Sequence, residues 1–556
     1  MSSPSLPFGE THDVINQPPP LEGYDLYGTD RALCEGIQRE HAAWAEARVA
    51  SYGELLGRPE IMRLGMLANR HPPELRTHDR YGHRVDEVEF HPAWHEVMRM
   101  AMANELHNLP WRTPRPGSNV ARSALNYLHT QVESGSNCPI TMTYACMPTL
   151  RHQEDVLAHW EPLLHGTEYD PRPVPAERKR AVLIGMFMTE KQGGSDVRAN
   201  TTEATPIDNG GPGGAYELVG HKWFCSAPMC DAFLTLAQTK HGLSCFLVPR
   251  WRPDGTRNPL RIQRLKDKLG NRSNASAEIE YTGAWARMIG EEGRGVRTII
   301  EMVHHTRMDC VGGSAGMMRQ AVVQAIHHCR YREAFGRRLA DQPLMQNVLA
   351  DLSIESEAAT QLMLRLARGY DDAARDESAR AFTRIATAVG KFWVCKRTPP
   401  LAYEAMECLG GNGYVEESIM PRLYREAPVN AIWEGSGNVI CLDVLRAMSR
   451  EPDALPALFT ELRTAKGVNA KYDTEMNRLE RELTTGMENG EAGARILTSK
   501  LAALLQASLL LRYSTPEVSD AFCATRLADT HELVFGTLPA GTDLRAIIER
   551  ALPPMA

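Results

Sequence analysis

The chain has 556 residues, of which 43% are hydrophobic, so it can bury several cores and we expect three or four domains. The formal net charge of −7 excludes a global electrostatic attraction to nucleic acid or anionic lipid, and any basic site must be local. Residues 1–20 are polar and proline-rich, and no run of about 18 uninterrupted apolar residues occurs, which predicts a cytoplasmic protein without membrane contact.

The twelve cysteines include no Cys-x-x-Cys pair, and most lie in apolar segments. This favours reduced core thiols over a disulfide framework or a metal site. The histidine pairs His304-His305 and His327-His328 are adjacent in sequence, and adjacent side chains on a helix point in different directions. We therefore predict no metal.

The first third of the chain has the apolar spacing of helices. Three stretches show it: 30–66, 92–108 and 119–130. A proline-rich run at 171–175 separates this helical pattern from the β-rich segments that follow. We interpret 1–28 as an N-terminal extension and 29–178 as an α-helical domain.

Residues 179–290 have the pattern of a β-domain. Short β-rich runs are separated by turn residues: 181–187, 216–224, 232–237, 245–248 and 277–281. The clearest loop is the glycine-rich segment 209–214. This spacing predicts a small antiparallel β-domain or barrel.

The rest of the chain is again helical in pattern. Long helical stretches, and one short one, are found at 296–330, 344–370, 378–408 and 439–448. They predict a four-helix bundle over 291–450. Residues 451–556 form a further helical segment, with helices expected at 497–511 and 518–534. The predicted fold class is α+β, mostly α.

One segment places a single carboxylate among an aromatic residue and small residues: Val429-Asn-Ala-Ile-Trp-Glu-Gly-Ser-Gly-Asn438. Trp433 can shield Glu434 from water, and Gly435 and Gly437 let the backbone approach a ligand closely. A carboxylate so placed can act as a general base. The alternative is that Glu434 caps the helix that starts near Ser436, since acids favour helix N-termini.

A second segment follows the apolar run 181–187 and supplies a hydroxyl, two glycines and another hydroxyl: Met188-Thr-Glu-Lys-Gln-Gly-Gly-Ser-Asp196. The N–H groups of such a turn can cradle a pyrophosphate. Two further motifs lie between these segments: Arg332-Glu-Ala-Phe-Gly336 and Leu409-Gly-Gly-Asn-Gly413.

In this order, the four motifs resemble the acyl-CoA dehydrogenase superfamily of flavoproteins. Two of them, at 188–196 and 432–438, resemble more narrowly its AidB branch, the flavoproteins of the response to DNA alkylation. The resemblance runs from near residue 10 to the C-terminus. It implies a helical N-terminal domain, a central antiparallel β-domain and a C-terminal four-helix bundle, followed here by an extra helical domain.

The resemblance implies non-covalent FAD. Thr189 matches the hydroxyl that bonds the isoalloxazine edge, and Gly194 and Ser195 match the pyrophosphate contact. In the partner motif 220–226, Phe224 stands where the family usually has tryptophan, and Ser226 where it has threonine near flavin N5. The full expected set is Met188, Thr189, Gly194, Ser195, Phe224, Cys225, Ser226, Trp433, Gly435, Ser436, Gly437 and Asn438. The alternative is an ordinary β-hairpin with a polar turn.

Other matching residues imply a site shared between subunits. Arg332 and Phe335 match residues that contact the FAD of a neighbouring subunit. The matching glycine turn accepts the adenosine half: Gly410, Gly411 and Gly413. A site completed by another chain implies a homo-oligomer, in this superfamily usually a tetramer. Alternatively, Arg332 is one more charge in a solvated run at 330–338.

The resemblance also implies the chemistry. Some family members hold their base at a position that here is Thr306, which cannot act as a base, and this leaves Glu434. Arg307 matches an arginine near the active site. The substrate is then an acyl-CoA or another small hydrophobic molecule, with weak activity on short or branched acyl-CoA such as isovaleryl-CoA.

The C-terminal extension raises the question of DNA, because in the AidB branch such an extension is implicated in binding duplex DNA. Residues 451–556 carry 11 Lys/Arg against 15 Asp/Glu, so binding requires a local patch. The candidate residues are Arg446, Lys466, Lys471, Arg478, Arg481, Arg495 and Lys500. The alternative is a metabolic dehydrogenase or oxidase with no DNA role, in which the extension serves oligomerisation.

Overall fold

The computed structural model describes residues 11–207, 209–485, 490–528 and 533–553. Its first part is mainly helical: α1 (Arg31–Arg39), α2 (Glu46–Leu56), α3 (Pro59–Arg70), α4 (Pro92–Ala103), α5 (Leu109–Arg112), α6 (Ser118–Val132), α7 (Asn137–Leu150) and α8 (Glu154–Leu164). The stretch 30–66, which we expected to be helical, contains three helices. His41 breaks it with a φ of 65°, and Pro59 starts the third helix.

A hairpin interrupts these helices, formed by β1 (Glu74–His78) and β2 (Arg84–Glu89). The strands pair antiparallel, with Glu74 opposite Glu89. These strands are not predicted from the sequence, because both are rich in charged residues and lie at the surface. They therefore lack the alternation of apolar and polar residues that marks a half-buried strand.

The central part is a sheet closed into a barrel. Its strands are β3 (Ile184–Phe187), β4 (Glu203–Pro206), β5 (Ala215–Ser226), β6 (Ala232–Thr239), β7 (Gly242–Pro249), β8 (Leu260–Leu265) and β9 (Ser276–Ile289). The ring runs β6-β4-β5-β9-β7 and closes because β7 also pairs with β6. β3 and β8 add to β6 and β9 from outside the ring. The pairings are antiparallel except those of β6 with β3 and β4.

The bundle follows, with α9 (Gly295–Tyr331), α10 (Pro343–Asp372), α11 (Glu377–Cys408), α12 (Met420–Glu426) and α13 (Gly437–Arg450). A short hairpin joins α9 to α10, formed by β10 (Glu333–Ala334) and β11 (Arg337–Arg338). The helices α9, α10 and α11 pack on one another, and α13 packs on α11. α9 also packs closely on α6, since a Cβ at Gly316 would lie 2.6 Å from the carbonyl oxygen of Tyr127.

The last part contains α14 (Ala454–Arg463), α15 (Ala470–Thr485), α16 (Ala494–Tyr513), α17 (Pro516–Arg526) and α18 (Leu544–Ala551). The helix expected at 518–534 ends at Arg526, and residues 529–532 lie outside the described part of the chain. α16 packs against α10, α11 and α13. The segment Gly490–Tyr513 is long and apolar enough to cross a membrane, but 72% of its most apolar 18-residue stretch is buried inside the protein, as in a core helix.

A buried ion pair joins the N-terminal helices to the bundle. The guanidinium of Arg122 on α6 binds both carboxylate oxygens of Asp309 on α9, and both side chains are almost fully buried. Arg122 also donates to the carbonyl oxygen of Leu106 at 2.7 Å, and Thr141 donates to Asp309 at 2.6 Å. The ring of Tyr144 covers the guanidinium at 3.8 Å. Each charge therefore depends on the other for its compensation.

We predict that Arg122→Met lowers the free energy of unfolding by about 3 to 5 kcal/mol, because it leaves the Asp309 carboxylate buried without its cation. The measurement is the midpoint of urea denaturation. Arg545→Met is the control, since Arg545 pairs with Glu549 at the surface and its removal leaves the midpoint unchanged. Equal midpoints for Arg122→Met and wild type would contradict the prediction.

Candidate active site

The loop before α13 has an unusual backbone at the candidate base. Glu434 has a φ of 57°, in the left-handed region, where a residue with a side chain is strained. Two cations from the bundle bind the carbonyl oxygens around it. Lys391 on α11 donates to the carbonyls of Trp433, at 2.8 Å, and Gly435, and Arg307 on α9 donates to that of Glu434 at 2.9 Å. These bonds hold the loop in its strained conformation.

The Glu434 carboxylate is partly buried and has one hydroxyl partner. Thr306 Oγ1 lies 2.7 Å from Glu434 Oε2 and donates to it. Burial raises the pKa of Glu434 above its ordinary value, while the hydrogen bond from Thr306 and the charges of Arg307 and Lys391 oppose this shift. A carboxyl with a raised pKa is suited to take a proton near neutral pH.

Glu434 does not cap α13, because the N-cap residue is Ser436 and no side-chain capping bond is formed there. The neighbouring indole of Trp433 donates to Asn430 Oδ1 at 2.9 Å, and Asn430 in turn donates to Ser314 on α9. The aromatic side chain beside the carboxylate is thus also fixed to the bundle.

Arg307 acts on Glu434 through the backbone. Its Nη1 donates to Asp443 on α13 at 2.7 Å, and Asp443 also binds Arg384 on α11. Within the described chain, Arg307 hydrogen-bonds the carbonyl oxygen of Glu434 and not its carboxylate. Arg307 therefore positions the candidate base, and its predicted catalytic role becomes an indirect one.

The barrel supplies the opposite wall. Phe224, near the end of β5, exposes 52% of its side chain, which leaves an aromatic face free to stack. Ser226 ends the same strand, and the thiol of Cys138 on α7 lies near both Ser226 and Glu434. Cys225 is fully buried, so only its backbone can meet a cofactor.

The turn after β3 is open in the way that a phosphate site requires. The N–H of Trp223 in β5 donates to the carbonyl of Thr189 at 2.8 Å, and the neighbouring Met188 is half-buried. Gly194 sits against the Thr189 hydroxyl, where a Cβ would lie 2.4 Å from Oγ1, and Ser195 is exposed. Within the described chain, neither the Thr189 nor the Ser195 hydroxyl bonds to another residue. The free Ser195 hydroxyl fits a pyrophosphate, and the free Thr189 hydroxyl fits the edge of a flavin ring.

A buried ion pair fixes this turn to the barrel, and the sequence analysis missed it. Glu190 and Lys222 are completely buried and lie 2.8 Å apart. Thr201 and Thr202 also donate to the carboxylate through N–H and hydroxyl groups. Although burial acts to raise the pKa of Glu190, Lys222 and these hydrogen bonds hold it at about 2. The signal in the sequence is Lys222, a charged residue inside a β-rich run, which indicates a buried ion pair.

The remaining expected flavin residues form a second cluster. Arg332 donates to the carbonyl of Asn16 at 2.6 Å, and Asn412, inside the glycine turn, donates to Gln17 at 3.3 Å. The segment around 16–17 therefore touches both motifs. Phe335 is 99% exposed with a φ of 55°. Gly410 and Gly411 have open space where a Cβ would stand, whereas Gly413 is packed against α11.

The cations proposed for DNA are dispersed, and several have partners. Arg446 lies 3.5 Å from Asp443, and Arg478 and Lys500 both pair with Glu482. The others are exposed: Lys466, Lys471, Arg481 and Arg495.

Arg495 on α16 lies next to the Glu434 loop. Its Nε donates to Asn438 Oδ1 at 2.8 Å, and its Nη2 lies 3.4 Å from the position of a Cβ on Gly437, which Lys396 also approaches. The C-terminal extension thus contacts the loop that we expected to bind the cofactor. The sequence predicts Arg495 to bind DNA, whereas its side chain contacts this loop.

Three family models match the chain in order. They are the adaptive response protein AidB N-terminal domain over 16–171, the acyl-CoA dehydrogenase middle domain over 185–284, and the acyl-CoA dehydrogenase C-terminal domain over 293–449. The putative acyl-CoA dehydrogenase AidB of Escherichia coli (strain K12) is 48% identical over 520 residues, which cover 93% of this chain and 95% of that protein. The chain belongs to the acyl-CoA dehydrogenase superfamily, in its AidB branch.

Two further relatives are similar to this AidB-branch member in structure or in sequence. The crystal structure of Caenorhabditis elegans ACDH-11 in complex with C11-CoA has a TM-score of 0.85 and 26% identity, covering 95% of this chain and 96% of that one. The isovaleryl-CoA dehydrogenase of Oryza sativa subsp. japonica is 26% identical over 293 residues, or 51% of this chain and 66% of that protein. The predicted fold class, the FAD cofactor and the class of FAD-dependent oxidoreductase acting on CH–CH groups are confirmed.

We predict that Thr306→Val moves the pH profile of flavin reduction by an acyl-CoA to higher pH. The base works when it is deprotonated, and losing the hydroxyl that bonds the carboxylate raises the pKa of Glu434 further. The measurement is the anaerobic rate of flavin reduction against pH. Thr398→Val is the control, because the Thr398 hydroxyl bonds only within its own helix. Overlapping profiles of wild type and Thr306→Val would show that this hydrogen bond does not set the pKa.

Proposed function

We propose that this protein is an FAD-containing acyl-CoA dehydrogenase-like enzyme of the DNA alkylation response, with weak activity on short or branched acyl-CoA. The observation that carries the proposal is Glu434, a partly buried carboxylate with a raised pKa on a loop held by Lys391 and Arg307. The names of relatives support the substrate class, since ACDH-11 is described in complex with C11-CoA and another relative is an isovaleryl-CoA dehydrogenase.

In the proposed reaction, Glu434 takes the proton from the carbon next to the thioester carbonyl. A flavin bound beside this base would supply the acceptor for the hydride of the adjacent carbon. Trp433 shields the carboxylate from water, and the Lys391 and Arg307 bonds keep its backbone fixed while its charge changes. The double bond of the product forms as both hydrogens leave, so the proton and the two electrons are accounted for.

The residues that would hold the cofactor lie on both sides of this base. Phe224 offers the aromatic face, Ser226 and Thr189 offer hydroxyls to the flavin ring, and the turn at 193–195 offers donors to the pyrophosphate. The loop after Glu434, from Gly435 to Asn438, would complete the same side.

We propose a homotetramer, in which Arg332, Phe335 and the turn at 410–413 meet the FAD of another subunit. The support is the almost complete exposure of Phe335 together with other exposed apolar side chains on the same part of the bundle, namely Tyr331, Leu344, Tyr414 and Val415.

The test of the reaction is anaerobic bleaching of the flavin by isovaleryl-CoA. Purified protein reconstituted with FAD should show flavin absorbance, and Glu434→Gln should bleach about 100-fold or more slowly than wild type, because a positioned general base contributes at least this factor. Glu301→Gln is the matched control, since Glu301 is an exposed acid on the same helix as Thr306. Equal rates for Glu434→Gln and wild type would remove Glu434 as the base, and no flavin absorbance would remove the whole proposal.

The second proposed activity is binding of duplex DNA by the C-terminal helices. The likeness to AidB motivates it, and the exposed cations Lys466, Lys471 and Arg481 are its support. Lys471 and Arg481 lie ten residues apart on α15, so their side chains point about 80° from each other around the helix axis. The acids Glu475 and Glu482 lie beside them, so few phosphate contacts are available.

We predict that full-length protein retards duplex DNA at low salt, and that the triple variant Lys466→Glu, Lys471→Glu, Arg481→Glu abolishes this. Three phosphate contacts give a slope of log affinity against log salt of about −2.7. The control reverses three exposed cations of the N-terminal helices, Arg31, Arg58 and Arg63. Point variants replace truncation because α16 packs on α10, α11 and α13. No retardation by wild type, or equal retardation by both variants, favours the metabolic alternative.

A further inference from the structure

A half-buried lysine lies behind the hydroxyl that we propose to meet the flavin. Lys268 belongs to the segment between β8 and β9, and its Nζ donates to the carbonyl oxygen of Asn274 at 2.6 Å and to Ser276 Oγ at 2.9 Å. Ser276 is the first residue of β9 and pairs directly with Ser226, the last residue of β5. Their Oγ atoms are 3.5 Å apart. Lys268, Ser276 and Ser226 therefore form a continuous polar path.

The lysine fixes the direction of the hydrogen bonds along this path. An ammonium group has three donors and no acceptor, so Ser276 must accept from Lys268. The Ser276 hydroxyl hydrogen is then free to donate to Ser226. Besides Ser276, the Ser226 hydroxyl neighbours the thiol of Cys138 on α7. A thiol is a weak acceptor, so a flavin nitrogen would compete favourably with it for the Ser226 hydrogen.

The charges around Lys268 come from three other elements. Cys138 on α7, Glu426 on α12 and Glu133 after α6 all face it. The two carboxylates are engaged elsewhere, Glu426 with Asn271 and Glu133 with Ser273 and neighbouring N–H groups. No ion pair of Lys268 is found in the described chain. Burial lowers the pKa of Lys268 to about 8, against the opposing effect of these three groups.

We propose that Lys268 is a positioning residue for the flavin: through Ser276 it holds the Ser226 hydroxyl as a donor to flavin N5 and places a positive charge near it that favours the reduced cofactor. The proposal deepens the proposed function and rests on it, because Ser226 must lie at the flavin. It adds no chemical step, since the hydride still comes from the substrate and the proton still goes to Glu434.

The positive charge makes the flavin potential depend on pH in a characteristic way. A reduced, more negative flavin holds the Lys268 proton more tightly than the oxidised form does, so the pKa of Lys268 is higher in the reduced protein. Between the two pKa values, reduction takes up an additional fraction of a proton. The flavin potential of wild type therefore falls more steeply with pH just above the pKa of the oxidised form.

The test is the midpoint potential of the bound flavin in wild type, Lys268→Met, Lys268→Arg and Ser226→Ala, measured across this pH range. Lys268→Met should shift the ratio of reduced to oxidised flavin at least tenfold toward the oxidised form, which is about 30 mV for a two-electron couple, and should lose the steeper pH dependence. Lys268→Arg keeps the charge and should retain the wild-type potential at low pH. Lys240→Met is the control, an exposed cation in the turn between β6 and β7, and should change nothing.

The variants separate the possible failures. If wild type binds no FAD, the proposed function fails and the inference falls with it. If FAD binds but Ser226→Ala leaves the potential unchanged, the path to N5 is overturned. If Ser226→Ala shifts the potential and Lys268→Met does not, the role of Lys268 is overturned while the proposed function stands. If both shift it, Lys268→Met added to Ser226→Ala should produce less than the sum of the two single effects.

Discussion

The site depends on the way the backbone of one loop is held. Residues 433–435 offer three successive carbonyl oxygens, and Lys391 and Arg307 bind all of them. Without these donors, the left-handed conformation of Glu434 would relax and carry its carboxylate away from Thr306. Lys391 lies on α11 and Arg307 on α9. The packing of these two helices therefore determines the orientation of the Glu434 side chain.

The same arrangement explains why the barrel and the bundle must be precisely joined. The barrel wall carries Phe224 and Ser226, while the base belongs to the loop before α13, and α7 lies between them with Cys138. The Arg122 and Asp309 pair fixes the N-terminal helices to α9, the helix that also carries Arg307. The buried ion pair that stabilises the fold and the arginine that positions the candidate base therefore share the helix α9.

The sequence predicts those parts of the fold that depend on residues close together in the chain. The long helices of the bundle and the segments around Glu434 and Thr189 are found because apolar spacing and short motifs are contiguous. Lys391 and Lys268 are not found, because each acts through bonds to residues distant in sequence and neither belongs to a motif. Arg495 was assigned to DNA from its charge alone, although the fold turns it toward Asn438.

The last helix, α18, is joined by an ion pair to the first helix, α1. Arg550 on α18 binds Glu35 on α1 and Glu357 on α10, so residues more than five hundred positions apart share one guanidinium. A force applied to the two ends of the chain would load this junction before it reached the barrel. Because Glu357 shares the same guanidinium, the first and last helices of the described chain are held to the bundle helix α10 at one point.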